Sequence, residues 1–199
     1  MKRILLREFV ELSYDQKIVK ESLEKKEPIV LTTILQRAEA KNQNGRVYSR
    51  SILEREMQNY SKMISERRAL GECDHPDSSV VSLSKASHII TDWWWEGNDV
   101  MGKLQVLNTP HGKIIQTLLE DGVKIGISSR GVGDIIKKEA VDIVDDNFVL
   151  IAYDLVQDPS TQRAILGGMN ESRDVSIEEF RKLVSKNDRV NRILNDILK

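Results

Sequence analysis

Ser128 and Ser129 stand side by side in KIGISSRGVG, residues 124–133, at the end of an apolar strand-like run and directly before Arg130 and Gly131. A hydroxyl becomes a nucleophile only beside a base, with a third group to orient that base and donors to receive the oxyanion. Alternation along a strand sends adjacent side chains to opposite faces, so at most one of the two serines can take that role. The backbone N–H groups of Ser129, Arg130 and Gly131, with the Arg130 cation, are the nearest oxyanion or substrate contacts. Gly126 leaves room for close approach. The plain alternative is a strand end that carries ordinary hydroxyls.

Only three histidines are available as the base. His88 lies in the apolar strand-like run ASHII. His111 follows Pro110 at a helix start, where the positive end of the dipole disfavours imidazolium. His75 sits in the loop GECDHPD between Asp74 and Asp77, and loops on a rigid scaffold are where catalytic groups concentrate. From the residues alone His75 is either a general base or a solvated loop residue. Cys73, His75 and Asp77 could also be read as metal ligands, but no second Cys/His cluster completes a tetrahedral site. A Cys73–His75 pair lacks a recognisable orienting group. With no phosphate-binding glycine loop either, neither metal nor cofactor is expected.

Several elements must position these groups. IVLTTILQRA, residues 29–38, is rich in β-branched side chains and reads as a strand. Ser49 can cap a helix running to about Arg67, with Ile52, Leu53, Met57, Tyr60 and Ile64 on one face. Residues 71–82 form a loop. SHIITDWWW and VMGKLQVLN make a hairpin turning at Glu96–Asp99. A short helix fits Thr109–Asp121, opened by Pro110 and closed by Gly122. Two further strands, KIGISSRGVGDI and FVLIAYDLV, are joined through a turn near Asp145. Residues 1–27 read as a peripheral arm, 28–160 as the main domain, and 161–199 as a linker and C-terminal helix. That helix has a capping box at Ser176 and Glu179. The sum is an α+β fold with a mostly antiparallel core.

Composition excludes several classes. The 199 residues balance at a net charge of -1, which favours neither nucleic acid nor an anionic membrane. No apolar run approaches the ~20 residues of a membrane span, and Arg7, Glu8 and Glu11 interrupt any signal-peptide core. A single cysteine forbids an internal disulfide, so a cytosolic setting is expected. The Trp93-Trp94-Trp95 run alternates faces on a strand and suits core and surface packing better than base stacking.

Taken together, GECDHP, DWWWEGNDVMGKLQVLNTPHG, DGVKIGISSRGVG and YDLVQDPS resemble the prohead (capsid maturation) proteases of T-even-like tailed phages, in order and near spacing over about residues 30–160. NGRVYSRSILEREM is similar to that family's N-terminal strand–helix passage. The resemblance implies the herpesvirus assemblin type of fold, a β-barrel wrapped by helices. It also implies a serine endopeptidase with Ser128 as nucleophile and His75 as base. Its third member is a carboxylate on a late strand, which here is Asp154, with Asp74 and Asp77 as rivals. An acid amid Ile151, Ala152, Tyr153, Leu155 and Val156 needs a partner, and an imidazole N–H would serve. The substrates implied are phage scaffold and capsid proteins, met inside the assembling prohead in the host cytoplasm and cut after glutamate. Self-trimming between Glu171 and Ser172 is expected on the same ground, and homo-oligomerisation is a candidate state. The rival reading is a catalytically inactive structural or scaffold component of the prohead.

Overall fold

In the computed structural model, residues 4–76, 79–138 and 141–157 are described. The expected cleavage at Glu171 and the expected linker and C-terminal helix therefore fall outside the described residues, as does the rival carboxylate Asp77. Local signals set most of the helices. α2, Arg50–Ser65, starts where the Ser49 hydroxyl accepts from the Ile52 N–H, and it buries Ile52, Leu53, Met57 and Tyr60 at helical spacing. α3, Pro110–Glu120, is capped by Thr109 and ends before Gly122, whose φ of 73° suits glycine. α1, Gln16–Lys25, is capped by Asp15.

The strands are β1 (Ile4–Glu11), β2 (Val30–Arg37), β3 (Arg46–Val47), β4 (Leu70–Glu72), β5 (Ala86–Glu96), β6 (Asp99–Val106), β7 (Gly126–Gly133), β8 (Ile135–Lys137), β9 (Asp142–Val144) and β10 (Val149–Val156). Their ladders form three sheets, ordered β1-β7-β10, β2-β6-β5-β4 and β3-β9-β8. All pairings are antiparallel except the short β3–β9 pair. This mixed α+β architecture agrees with the sequence. The closed barrel does not: among the described residues no continuous ladder joins the sheets. At β4, only three residues long, strand pairing with β10 is a single bridge, Cys73 to Leu155.

A second correction concerns the N-terminus. Residues 1–27 are not a peripheral arm, because β1 pairs along its whole length with β7, the strand of the two serines. Its alternating pattern turns Leu6 and Glu8 inward, at 1% and 3% exposure. That inner face meets Ile127, Tyr153 and Leu155, and α2 covers it: Tyr60 packs edge-on against Tyr153 with centroids 5.7 Å apart, and the Tyr153 hydroxyl lies 3.1 Å from Met57 Sδ. The tryptophan run splits as its alternation requires. Trp93 and Trp95 pack against the core, and Trp94 lies near the Lys103 ammonium. No helix among the described residues is long and apolar enough to cross a membrane.

Candidate active site

The outer face of the β1-β7-β10 sheet carries the candidate residues. Register places Ser128 directly opposite Asp154 on β10 and Phe9 on β1, so all three point the same way. Ser129 pairs with Glu8 and Tyr153 and faces the other side. Its hydroxyl is buried without a hydrogen-bond partner. Alternation, which alone could not choose between the serines, is thereby resolved by register.

His75 arrives from the loop after β4. The Asp74 N–H donates to the Leu155 carbonyl at 2.9 Å, and Asp74 then takes a φ of 65°, a left-handed conformation that aspartate tolerates. The chain is redirected there, and Arg7 of β1 holds the next turn through the Pro76 carbonyl at 2.8 Å. His75 is left with Nε2 2.7 Å from Ser128 Oγ and Nδ1 3.0 Å from Asp154 Oδ2. An ionised carboxylate can only accept, so Nδ1 carries the proton and Nε2 accepts from the serine hydroxyl. The histidine side chain retains 14% exposure and Asp154 none. Asp74, the other described rival, is exposed and does not contact the imidazole.

Asp154 is the best-held side chain of the group. Its Oδ1 accepts from the Glu72 N–H at 3.1 Å and Arg130 Nη2 at 3.2 Å, and its Oδ2 accepts from His75 and from Arg130 Nε at 2.8 Å. Burial pushes the carboxyl toward protonation, but the His75 hydrogen bond, the Arg130 charge and the Glu72 N–H outweigh it and hold the pKa below the ordinary value. One residue earlier, the Tyr153 carbonyl accepts from His88 Nε2 at 2.9 Å, while Ser87 Oγ lies 2.9 Å from His88 Nδ1. Burial lowers His88 to about 4, so it is a neutral strut between β5 and β10. A side chain at Gly71 would strike both the Tyr153 carbonyl and the His88 ring, which explains glycine there.

The roles expected of the neighbours need correction. Arg130 is 0% exposed and bound to carboxylates, so its cation does not face a substrate. β7 has a partner strand on both sides, and Ser129 and Arg130 are in register with both, Arg130 beside the irregularity between Leu150 and Ala152. Gly131 makes room for the Phe148 ring and Gly126 for the Phe9 ring, rather than for a ligand. Arg7 and Glu72 were not singled out from the sequence. The signal for Glu72 was its place in GECDHP, three residues before His75. Burial raises the Cys73 thiol pKa, with Asp74 adding to it, which disfavours a thiolate nucleophile.

Comparison with known proteins identifies the family. Residues 9–174 match the family model described as prohead core protein serine protease. The prohead core protein protease of Enterobacteria phage T4 is 36% identical over 136 residues, 66% of this chain and 64% of that protein's length. The chain thus aligns with less than two thirds of that relative. The structure of the bacteriophage T4 capsid assembly protease superposes with a TM-score of 0.69 at 28% identity, covering 80% of this chain and 100% of that one. The chain belongs to the prohead core protein serine protease family.

Proposed function

We propose that the protein is a serine endopeptidase of phage prohead maturation, with Ser128 as nucleophile, His75 as general base and Asp154 as its orienting carboxylate. The observation that carries this reading is the unbroken Ser128–His75–Asp154 hydrogen-bond chain of 2.7 and 3.0 Å. Ser128 attacks the scissile carbonyl while Nε2 of His75 takes its proton and then delivers it to the leaving amine. Asp154 stabilises the imidazolium formed between those steps. Family membership supports a protease of the prohead; scaffold and capsid proteins as substrates, the cut after glutamate and self-trimming at Glu171 are further parts of this proposal. The test is a fluorophosphonate probe on the full-length chain. Labelling at Ser128 alone, lost in Ser128→Ala, is the expected result; an unlabelled wild-type chain would instead favour the inactive structural component. Intact mass of the active chain and Ser128→Ala after incubation then reads self-trimming, with a Met1–Glu171 fragment expected only in the former.

A further inference from the structure

The carboxylate of Asp154 has about four acceptor sites, and four donors occupy them: His75 Nδ1–H, Arg130 Nε and Nη2, and the Glu72 N–H. Three of those donors cannot move. Arg130 lies two residues beyond Ser128 on the same strand face, diagonally across from Asp154. Its Nη2 also reaches Glu72 Oε1 at 3.3 Å, and the same oxygen accepts from the Ser82 N–H at 2.9 Å. Glu72 thus ties together the two ends of the loop that carries His75. Arg130 and Glu72 are both 0% exposed.

A buried ion chain is weak support for stability, since apolar residues of similar volume commonly replace one at no loss. What apolar residues cannot do is fix the plane and charge of a carboxylate. Arginine does so through a planar fork that lysine lacks. We propose that Arg130, balanced by Glu72, is the positioning residue of this site: its guanidinium locks Asp154 so that the only exchangeable donor left to it is His75 Nδ1–H, which selects the tautomer whose Nε2 accepts the Ser128 proton. This rests on the serine-hydrolase reading above.

The other titratable groups near Asp154 supply no substitute. His88 on β5 is neutral at its lowered pKa of about 4, and the Tyr60 hydroxyl on α2 is held above its usual range by burial and then by the Asp154 charge. Among the described residues Arg130 is the cation placed to balance Asp154. Without it, the bare carboxylate would favour the imidazolium, and the base would become available only at higher pH.

The experiment measures phosphorylation of the serine by diisopropyl fluorophosphate, with loss of fluoride, from pH 5 to 9 on the full-length chain, with the thermal midpoint followed alongside. Arg130→Lys, which keeps the charge and loses the fork, is expected to slow labelling about 10- to 100-fold, the range typical of residues that orient a reacting group from behind. The double variant Arg130→Met with Glu72→Met removes both charges together. It should unfold near the wild-type temperature while labelling remains slow and the acid side of its profile moves about one pH unit upward. Native-like midpoints with wild-type rates and an unshifted profile would overturn the inference. Should the lysine variant not fold, the double variant decides alone, and should the double variant not fold, the lysine variant does; loss of the fold in both would assign the pair to structure and also overturn it. A wild-type chain that is never labelled would instead sink the underlying hydrolase reading.

Discussion

Two buried carboxylates sit on opposite faces of the β1-β7-β10 sheet, on the two strands that flank β7. On the outer face Asp154 is held by Arg130, the Glu72 N–H and His75. On the inner face Glu8 accepts from Arg46 Nη1 at 2.9 Å, the Tyr48 hydroxyl at 2.7 Å, Asn42 Nδ2 at 2.6 Å and Asn44 Nδ2 at 2.8 Å. Each acid offsets its desolvation with about the same number of donors. They differ in one partner. Around Glu8 every donor is permanently charged or neutral near pH 7: burial, reinforced by the Glu8 charge, holds the Tyr48 hydroxyl well above its ordinary range. Around Asp154 one donor is a histidine with 14% exposure, whose far nitrogen meets a serine hydroxyl. Saturating a buried carboxylate makes structure; leaving one of its donors titratable and reachable makes a site.

The largest effect expected from that comparison is on Ser128. Ser128→Ala should abolish proteolysis, a loss on the order of 10⁶ in turnover, while the thermal midpoint stays near that of the wild type. An active Ser128→Ala chain would remove the nucleophile from the outer face altogether. Asp154→Asn comes next. By offering an N–H where His75 needs an acceptor, it should lower turnover by roughly 10⁴, read as kcat on a scaffold substrate. Near-normal activity would move the orienting role to another group.

The matched change on the inner face, Glu8→Gln, should do the reverse. It strands Arg46 without its counter-ion and should cost about 3 kcal/mol of stability, lowering the midpoint by about 9 °C. At a temperature where the variant is folded, phosphonylation of Ser128 should be close to the wild-type rate. A large rate loss there would mean that the faces are not separable.

pH separates the two regions more gently. His88 has a folded pKa of about 4 against 6.5 for the free group, so the unfolded chain takes up its proton first. Stability from neutral His88 is whole above about pH 6.5 and falls away toward pH 4, by about 3 kcal/mol in all. The lowered pKa of Asp154 acts in the same direction but below its ordinary value of 3.8. Urea unfolding at pH 7, 5 and 4 should show the first loss, and a His88→Asn chain should show a flatter profile even though it starts less stable. Equal slopes in the two chains would dismiss His88 as the cause. The smallest effect belongs to Ser129→Ala. Its hydroxyl is buried without a partner, so stability should stay within about 0.5 kcal/mol or rise, with labelling of Ser128 unchanged.

Most of the secondary structure was legible because its causes are local. The Ser49 cap, the turn at Glu96–Asp99, Pro110 and Gly122 each act within a few residues, and the helices and hairpin appear where those signals stand. β1 was missed because its inward position 8 is a glutamate, and the partners that make this tolerable, Arg46 and Tyr48, lie 38 and 40 residues away. Ser128, His75 and Asp154 were named through family resemblance and the cost of an acid in an apolar strand, and the structure brings them within hydrogen-bonding distance. Arg130 was named for another reason: a cation beside a serine reads as a substrate contact until its side chain is seen bound to Asp154 and Glu72.

By itself the sequence determined the residue types, the strand alternation that permits only one serine to face a base, and the local starts and stops of the elements. Those follow from covalent geometry and short-range hydrogen bonding, which do not depend on distant partners. Alternation left open which serine that is and resemblance named Ser128; only the tertiary structure shows Ser128 on the face of His75 and Asp154, because that depends on β7 pairing with β1 and β10 in one register, and a slip by one residue would exchange the faces. It also decided that Arg130 and Glu72 serve Asp154 rather than a substrate. Their charges come from strands far apart in the chain, and a buried ion is tolerated only where the fold brings its counter-ions within hydrogen-bonding distance.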